Sequence, residues 1–147
     1  MIPNIFYRPR LPKKLPPGMR RWVDQLRGAP SKETCLRRAY ALMSKKYRGY
    51  RIKTYTQLLN IFRTDLDTLW NQHGFLHCTT MNYLFRVLLV KSGQFSESDL
   101  RFRWCLVWVV SPHQYLQVRI RPGIWIDVDL WGKAYGIKLG DHAQGFH

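Results

Sequence analysis

At 147 residues, with 46% hydrophobic and 14% aromatic side chains, the chain is long enough for one packed domain and too short for two ordinary ones. That composition excludes a disordered polymer, and the longest apolar run, Trp104 to Val110, is strand-sized rather than membrane-spanning. Three widely spaced cysteines (Cys35, Cys78 and Cys105) fit neither a disulfide framework nor a metal knuckle, and the formal charge of +15 marks a cationic protein.

Residues 1–18 hold five prolines and four bases without an apolar core, so they read as an extended basic arm and not as a secretory signal. A cytoplasmic protein with reduced thiols is the expectation. The charge is uneven. Residues 1–53 carry 15 Lys/Arg against two acids, a net of +13, whereas residues 54–147 carry nine against seven, a net of +2. The first segment is thus a candidate for contact with a polyanion: RNA, DNA or an acidic protein.

Residues 19–147 are expected to form a single domain, with helices over 19–91, a sheet over 101–131 and a tail over 132–147. Met19, Trp22, Val23 and Leu26 keep helical spacing until Gly28. Ser31 caps a second helix whose apolar face is Cys35, Leu36, Ala39, Tyr40, Leu42 and Met43. Shorter helical segments follow near Tyr55–Phe62 and Asp65–Asn71. Over 78–91, Met81, Leu84, Phe85, Leu88 and Leu89 make a full buried stripe, closed by Gly93. Strands then read over 101–110, 113–120 and 125–131, with a three-residue turn at 121–123. Helices first and strands after give an α+β class with an antiparallel sheet.

Cys78 opens the strongest helix, where unpaired backbone N–H groups and the helix dipole favour a thiolate and can hold an oxyanion. If the last two strands pair around the turn, His113 lies opposite Trp131 and Tyr115 opposite Asp129. His113 and Asp129 then become diagonal neighbours. A carboxylate on one ring nitrogen leaves the other to take the thiol proton. Asp127 projects to the same face as Asp129 and is its rival, or a supporting group beside it.

In the order cysteine at a helix start, histidine at a strand start and aspartate on the next strand, the chain resembles the transglutaminase-like superfamily, which shares the papain-like core. The matching stretches are HCTTMNYLFRVLLVKSG, PHQYLQVRI and GIWIDVDLW, within about Leu66 to Trp131. Trp125 stands four residues before Asp129, as in that family, and the compact spacing is like its bacterial members. The sequence departs in having Gly74 well before the cysteine, and His113-Gln114-Tyr115 in place of the common His-Ala-Trp. The resemblance implies a Cys-His-Asp catalytic triad in a cysteine protease, amidase or transamidase, a thiol hydrolase or acyltransferase that needs no organic cofactor. Its substrate would be a peptide or protein amide. Gln72, six residues before Cys78, and Trp70 are rival candidates for the oxyanion position.

Other readings compete. Cys105 among Trp104, Leu106, Val107 and Trp108, and Cys35 on a core face, read as buried. His73 and His77 with Cys78 and His113 have the chemistry of zinc ligands, but Gly74 interrupts helical spacing and no second cysteine is near, so no metal is expected. His142 and His147 read as solvated tail. The nonenzymatic alternative is a basic nucleic-acid- or ribosome-binding protein with a vestigial triad. For that reading Tyr47, Tyr50 and Tyr55 interleave with Lys45, Lys46, Arg48, Arg51 and Lys53.

Overall fold

A computed structural model describes residues 10–49, 66–71, 74–107 and 111–143. The elements are α1 (Pro17–Arg27), α2 (Lys32–Lys46), β1 (Tyr47–Arg48), α3 (Leu66–Asn71), β2 (Gly74–Phe75), α4 (Cys78–Lys91), a 3₁₀ turn (Glu97–Asp99), β3 (Leu100–Val107), β4 (Ser111–Arg121), β5 (Ile124–Val128) and a second 3₁₀ turn (Gly132–Tyr135). The class is α+β, with a three-stranded antiparallel sheet in the order β3-β4-β5 and a two-residue parallel pair, β1 with β2. Among the described residues no helix is long and apolar enough to cross a membrane. The expected segment near Tyr55–Phe62 lies outside the described residues, as do Tyr50, Arg51, Lys53 and His147.

Local chemistry explains the helix ends. Proline at the first positions of α1 suits a turn whose N–H groups have no intrahelical partner. Ser31 Oγ accepts from the Thr34 N–H at 3.1 Å, the cap expected for α2. Helix α4 spans the residues read from its stripe, but its burial is wider than a stripe: every residue from Thr80 to Leu89 is buried. The reason is its central place, with α1 and α2 on one side and β4 on the other. Leu116, Val118 and Val128 of the sheet join Met81, Leu84 and Leu88 of α4 in one core.

Two buried polar side chains of α4, Asn82 and Arg86, reach partners on other elements. Asn82 Nδ2 donates to the Gln114 carbonyl at 3.0 Å and to its side-chain Oε1 at 3.2 Å, with both residues buried. Arg86 donates to Glu97.

The β4–β5 register is Leu116↔Val128, Gln117↔Asp127 and Val118↔Ile126, the one that hydrophobic alternation predicts. The turn is built differently from the expectation. Arg121 pairs with Ile124, which leaves a two-residue loop, Pro122-Gly123, and the spare residue is taken up by a bulge between Arg119 and Arg121. Gly123, at φ +75°, supplies the left-handed conformation that the loop requires. β4 starts at Ser111, earlier than the expected 113, with Pro112 opposite Leu106.

Asp99 ties three elements together. It accepts from Arg119 Nε of β4 at 2.9 Å, from Lys32 of α2 at 3.4 Å and from the Ser96 N–H at 3.0 Å. Burial disfavours its charge, but these donors outweigh burial and hold the carboxyl at about 2. A depressed carboxyl stabilises the fold above the unfolded value near 4, and that contribution is lost as pH falls through 2. Asp99→Asn is predicted to cost ~2 kcal/mol at neutral pH. Thermal melts should show the deficit shrinking toward pH 2; an equal deficit at pH 7 and pH 2 would refute the electrostatic account.

Candidate active site

The chain turns into α4 at His77, whose carbonyl accepts the first helical hydrogen bond from the Met81 N–H at 2.9 Å. The amides of Cys78, Thr79 and Thr80 thus lie in the first turn, where the helix supplies no carbonyl for them. Cys78 is half-buried, whereas Cys35 and Cys105 are buried. The thiol is the accessible one of the three.

The structure brings Cys78, His113 and Asp129 together. His113 Nε2 lies 2.7 Å from Asp129 Oδ2, and both side chains are buried. Cys78 lies near enough to the same imidazole to act on its charge; with Nε2 committed to the carboxylate, Nδ1 is the nitrogen left to face sulfur. Burial pushes the imidazole toward neutrality, but the hydrogen bonds and charges of Asp129 and Cys78 raise it to about 10. Near neutral pH the arrangement therefore favours an imidazolium flanked by a carboxylate and a sulfur.

Asp129 is held from several sides. Oδ1 accepts from the Gly132 N–H at 2.8 Å, and Oδ2 accepts from the Ala143 N–H at 3.0 Å as well as facing His113. The Trp131 ring lies against His113 with centroids 5.3 Å apart, and Tyr135 backs Trp131 at 5.1 Å. Gly132 has to be glycine. A Cβ there would stand 2.8 Å from Asp129 Oδ2 and 2.6 Å from Ile137 Cδ1. Gly132→Ala is predicted to displace the carboxylate and cost ~1–3 kcal/mol. Thermal melts check this, and a wild-type melting temperature would refute the close packing.

His142, expected in a solvated tail, is instead held against the sheet. Gly140 N donates to the Asp127 carbonyl at 2.9 Å. His142 Nδ1 lies 2.8 Å from Asp127 Oδ2, and its ring stacks on Tyr115 at 4.2 Å. Asp127 also accepts from Gln117 at 2.6 Å. Asp127 therefore secures the strap that supplies the Ala143 N–H to Asp129, which places it beside Asp129 rather than in its stead. Asn82, one helical turn after Cys78, fastens the cysteine helix to the histidine strand, a role that no periodic pattern signals.

Of the remaining candidates, Gln72 lies outside the described residues, with His73. Trp70 is fixed by contacts away from the imidazole. It packs edge-on against Trp22 at 4.6 Å, under Lys46 Nζ at 4.1 Å, and against Gly18, where a Cβ would come within 2.8 Å of its Nε1. Cys105 is buried opposite His113, and burial, with Asp129 and Cys78 near, pushes its thiol up to about 11. Tyr47, counted from sequence among stacking residues, is buried and donates to the carbonyls of Leu69 and Trp70. Among the described residues no group of three or more His, Cys, Asp or Glu could hold a metal ion. A cleft of about 260 Å³ between α2 and β5, lined by Leu36, Trp125 and Leu139, does not include the cysteine.

Comparison with protein-family models, with curated proteins and with solved structures gave no match to this chain.

Proposed function

We propose that the chain is a thiol hydrolase or acyltransferase of the transglutaminase-like, papain-like kind, acting on a peptide or protein amide. The observation that carries this reading is the buried 2.7 Å contact between His113 and Asp129, with Cys78 on the same imidazole. Cys78 thiolate attacks the carbonyl carbon, and the carbonyl π pair moves onto oxygen. First-turn amides of α4 are positioned to receive that oxyanion. When the C–N bond breaks, His113 gives its proton to the leaving amine, and an acyl thioester remains on Cys78. Water, giving a proton to His113, adds to the thioester carbon, and the C–S bond then breaks to free the acid and return Cys78 as thiolate; an amine in place of water completes a transamidation. Asp129 keeps the ring oriented throughout and stabilises it in the steps where it is charged.

Iodoacetamide tests the reading. Cys78 is expected to alkylate stoichiometrically near pH 7, well ahead of Cys35 and Cys105, whose thiols burial pushes up. Alkylation of Cys78 no faster than that of a free cysteine, together with unchanged behaviour of Cys78→Ala, would sink the enzyme reading. Binding to a polyanion that weakens steeply with salt would then favour the nonenzymatic alternative.

A further inference from the structure

The β3–β4–β5 register sets rows of side chains on the sheet face that alternates with the core positions. Arg119 stands opposite Trp125, Arg101 opposite Gln117 and Gln117 opposite Asp127, then Arg103 opposite Tyr115. Arg101 and Arg103 are exposed, yet neither is a loose surface cation. The Arg101 guanidinium lies 3.9 Å from the Trp125 ring centroid and donates to Gln117 Oε1 at 2.8 Å. Arg103 stands directly across from Tyr115, and its charge acts on the phenol. Bracing of this kind removes much of the rotamer entropy that a flexible arginine loses on binding.

We infer that this arginine face of β3 is a docking surface for an extended acidic peptide segment with carboxylates at alternate positions. The inference rests on the proposed action on a peptide or protein and adds its substrate class. Residues two apart on a strand stand about 6.6–7 Å apart on one side, the same spacing as alternate side chains of an extended peptide. Each planar guanidinium can meet a carboxylate fork to fork. Because Arg101 reaches over β4 to Trp125 of β5, the peptide lies along β3 over the sheet face that carries the guanidinium groups. The strand runs from Arg101 and Arg103 to Cys105, the cross-strand partner of His113. A peptide aligned with β3 is therefore carried toward the site.

Nucleic acid fits this surface less well. Stacking needs an open aromatic face, but Trp125 already carries Arg101 at 3.9 Å and Arg119 at 5.5 Å. Asp99, paired with Arg119, and Asp127 interrupt the positive field that a phosphate backbone would follow.

The test is fluorescence anisotropy with full-length Cys78→Ala protein and a labelled peptide carrying glutamate at alternate positions. The peptide is expected to bind saturably, and its glutamine counterpart at least tenfold more weakly. R101Q/R103Q in the same background should weaken the glutamate peptide roughly tenfold or more, whereas K13Q/K14Q, an equal charge loss elsewhere, should not. R101K/R103K keeps charge and fold but loses the fork, and a loss of several-fold is expected. Binding unchanged in both arginine variants would overturn the inference. So would an oligothymidylate 12-mer that binds more tightly than the peptide through the same arginines. Iodoacetamide labelling of Cys78 in the parent protein does not depend on these arginines. Labelling without docking therefore overturns only this inference, and docking without labelling only the thiol reading.

Discussion

Cys78→Ala is expected to abolish turnover, with kcat falling by about 10⁴-fold or more, while the fold is retained. The asymmetry follows from position. Cys78 is half-buried at the first turn of α4, so losing one sulfur opens little cavity, and the buried body of the helix from Thr80 to Leu89 keeps its contacts. The nucleophile, by contrast, has no substitute: Cys105 is buried with its thiol pushed up to about 11, and Cys35 hydrogen-bonds Ser92 within the core. A second readout separates catalysis from a structural role. The sulfur is one of the groups that raise the imidazole to about 10, so in Cys78→Ala the His113 ring, followed by NMR, should titrate at lower pH than in the parent. A ring that titrates unchanged would mean that Cys78 and His113 do not form a pair.

The parts of this arrangement that were legible in sequence are those written as local periodicity. The α4 stripe gave the helix and placed Cys78 at its start. The alternation of Leu116, Val118, Ile126 and Val128 with polar residues fixed the strand register, because a slip by one residue would turn the apolar side chains out of the core. That register ends at Leu116↔Val128, so Asp129 lies one residue past β5 rather than on it, and its side chain reaches His113 from there. The register survived an incorrect expectation of the turn because the bulge at Arg119/Arg121 absorbs the residue that the two-residue loop releases.

What could not be read depends on contacts without a period. Asp129 is completed by backbone N–H groups of Gly132 and Ala143, and a backbone donor leaves no mark on residue type. His142 meets Asp127 across 15 residues that include no regular element beyond a short 3₁₀ turn. In sequence it looks like any polar residue near a terminus. Asn82 reads as an ordinary interruption of an apolar helix. Only the place of α4 against β4 turns it into a clamp on Gln114. Of the two oxyanion candidates, Gln72, chosen by its spacing, lies outside the described residues, and Trp70, chosen as an aromatic residue, packs on α1.

Asp129→Asn is expected to be nearly as damaging as loss of the thiol, with kcat reduced roughly 10³–10⁴-fold although shape and size are conserved. The neutral amide can still occupy the space and accept from Gly132, but it cannot stabilise a positive imidazole buried beside it. It can also present an N–H toward Nε2, which forces the proton of a neutral ring onto Nδ1, the nitrogen that must receive the thiol proton. The pH dependence carries the sign of this effect. His113 is raised from an ordinary 6.5 to about 10 in the folded protein. Its protonation therefore stabilises the fold fully below about 6.5, and that contribution is lost as pH rises through 10. In the parent, melting temperature and Cys78 alkylation by iodoacetamide should both change across the alkaline limb as the imidazolium is lost. In Asp129→Asn that limb should move to lower pH, because one of the groups raising the ring has gone. A limb that stays in place, with kcat near the parent value, would remove Asp129 from the mechanism and leave Cys78 and His113 as a pair.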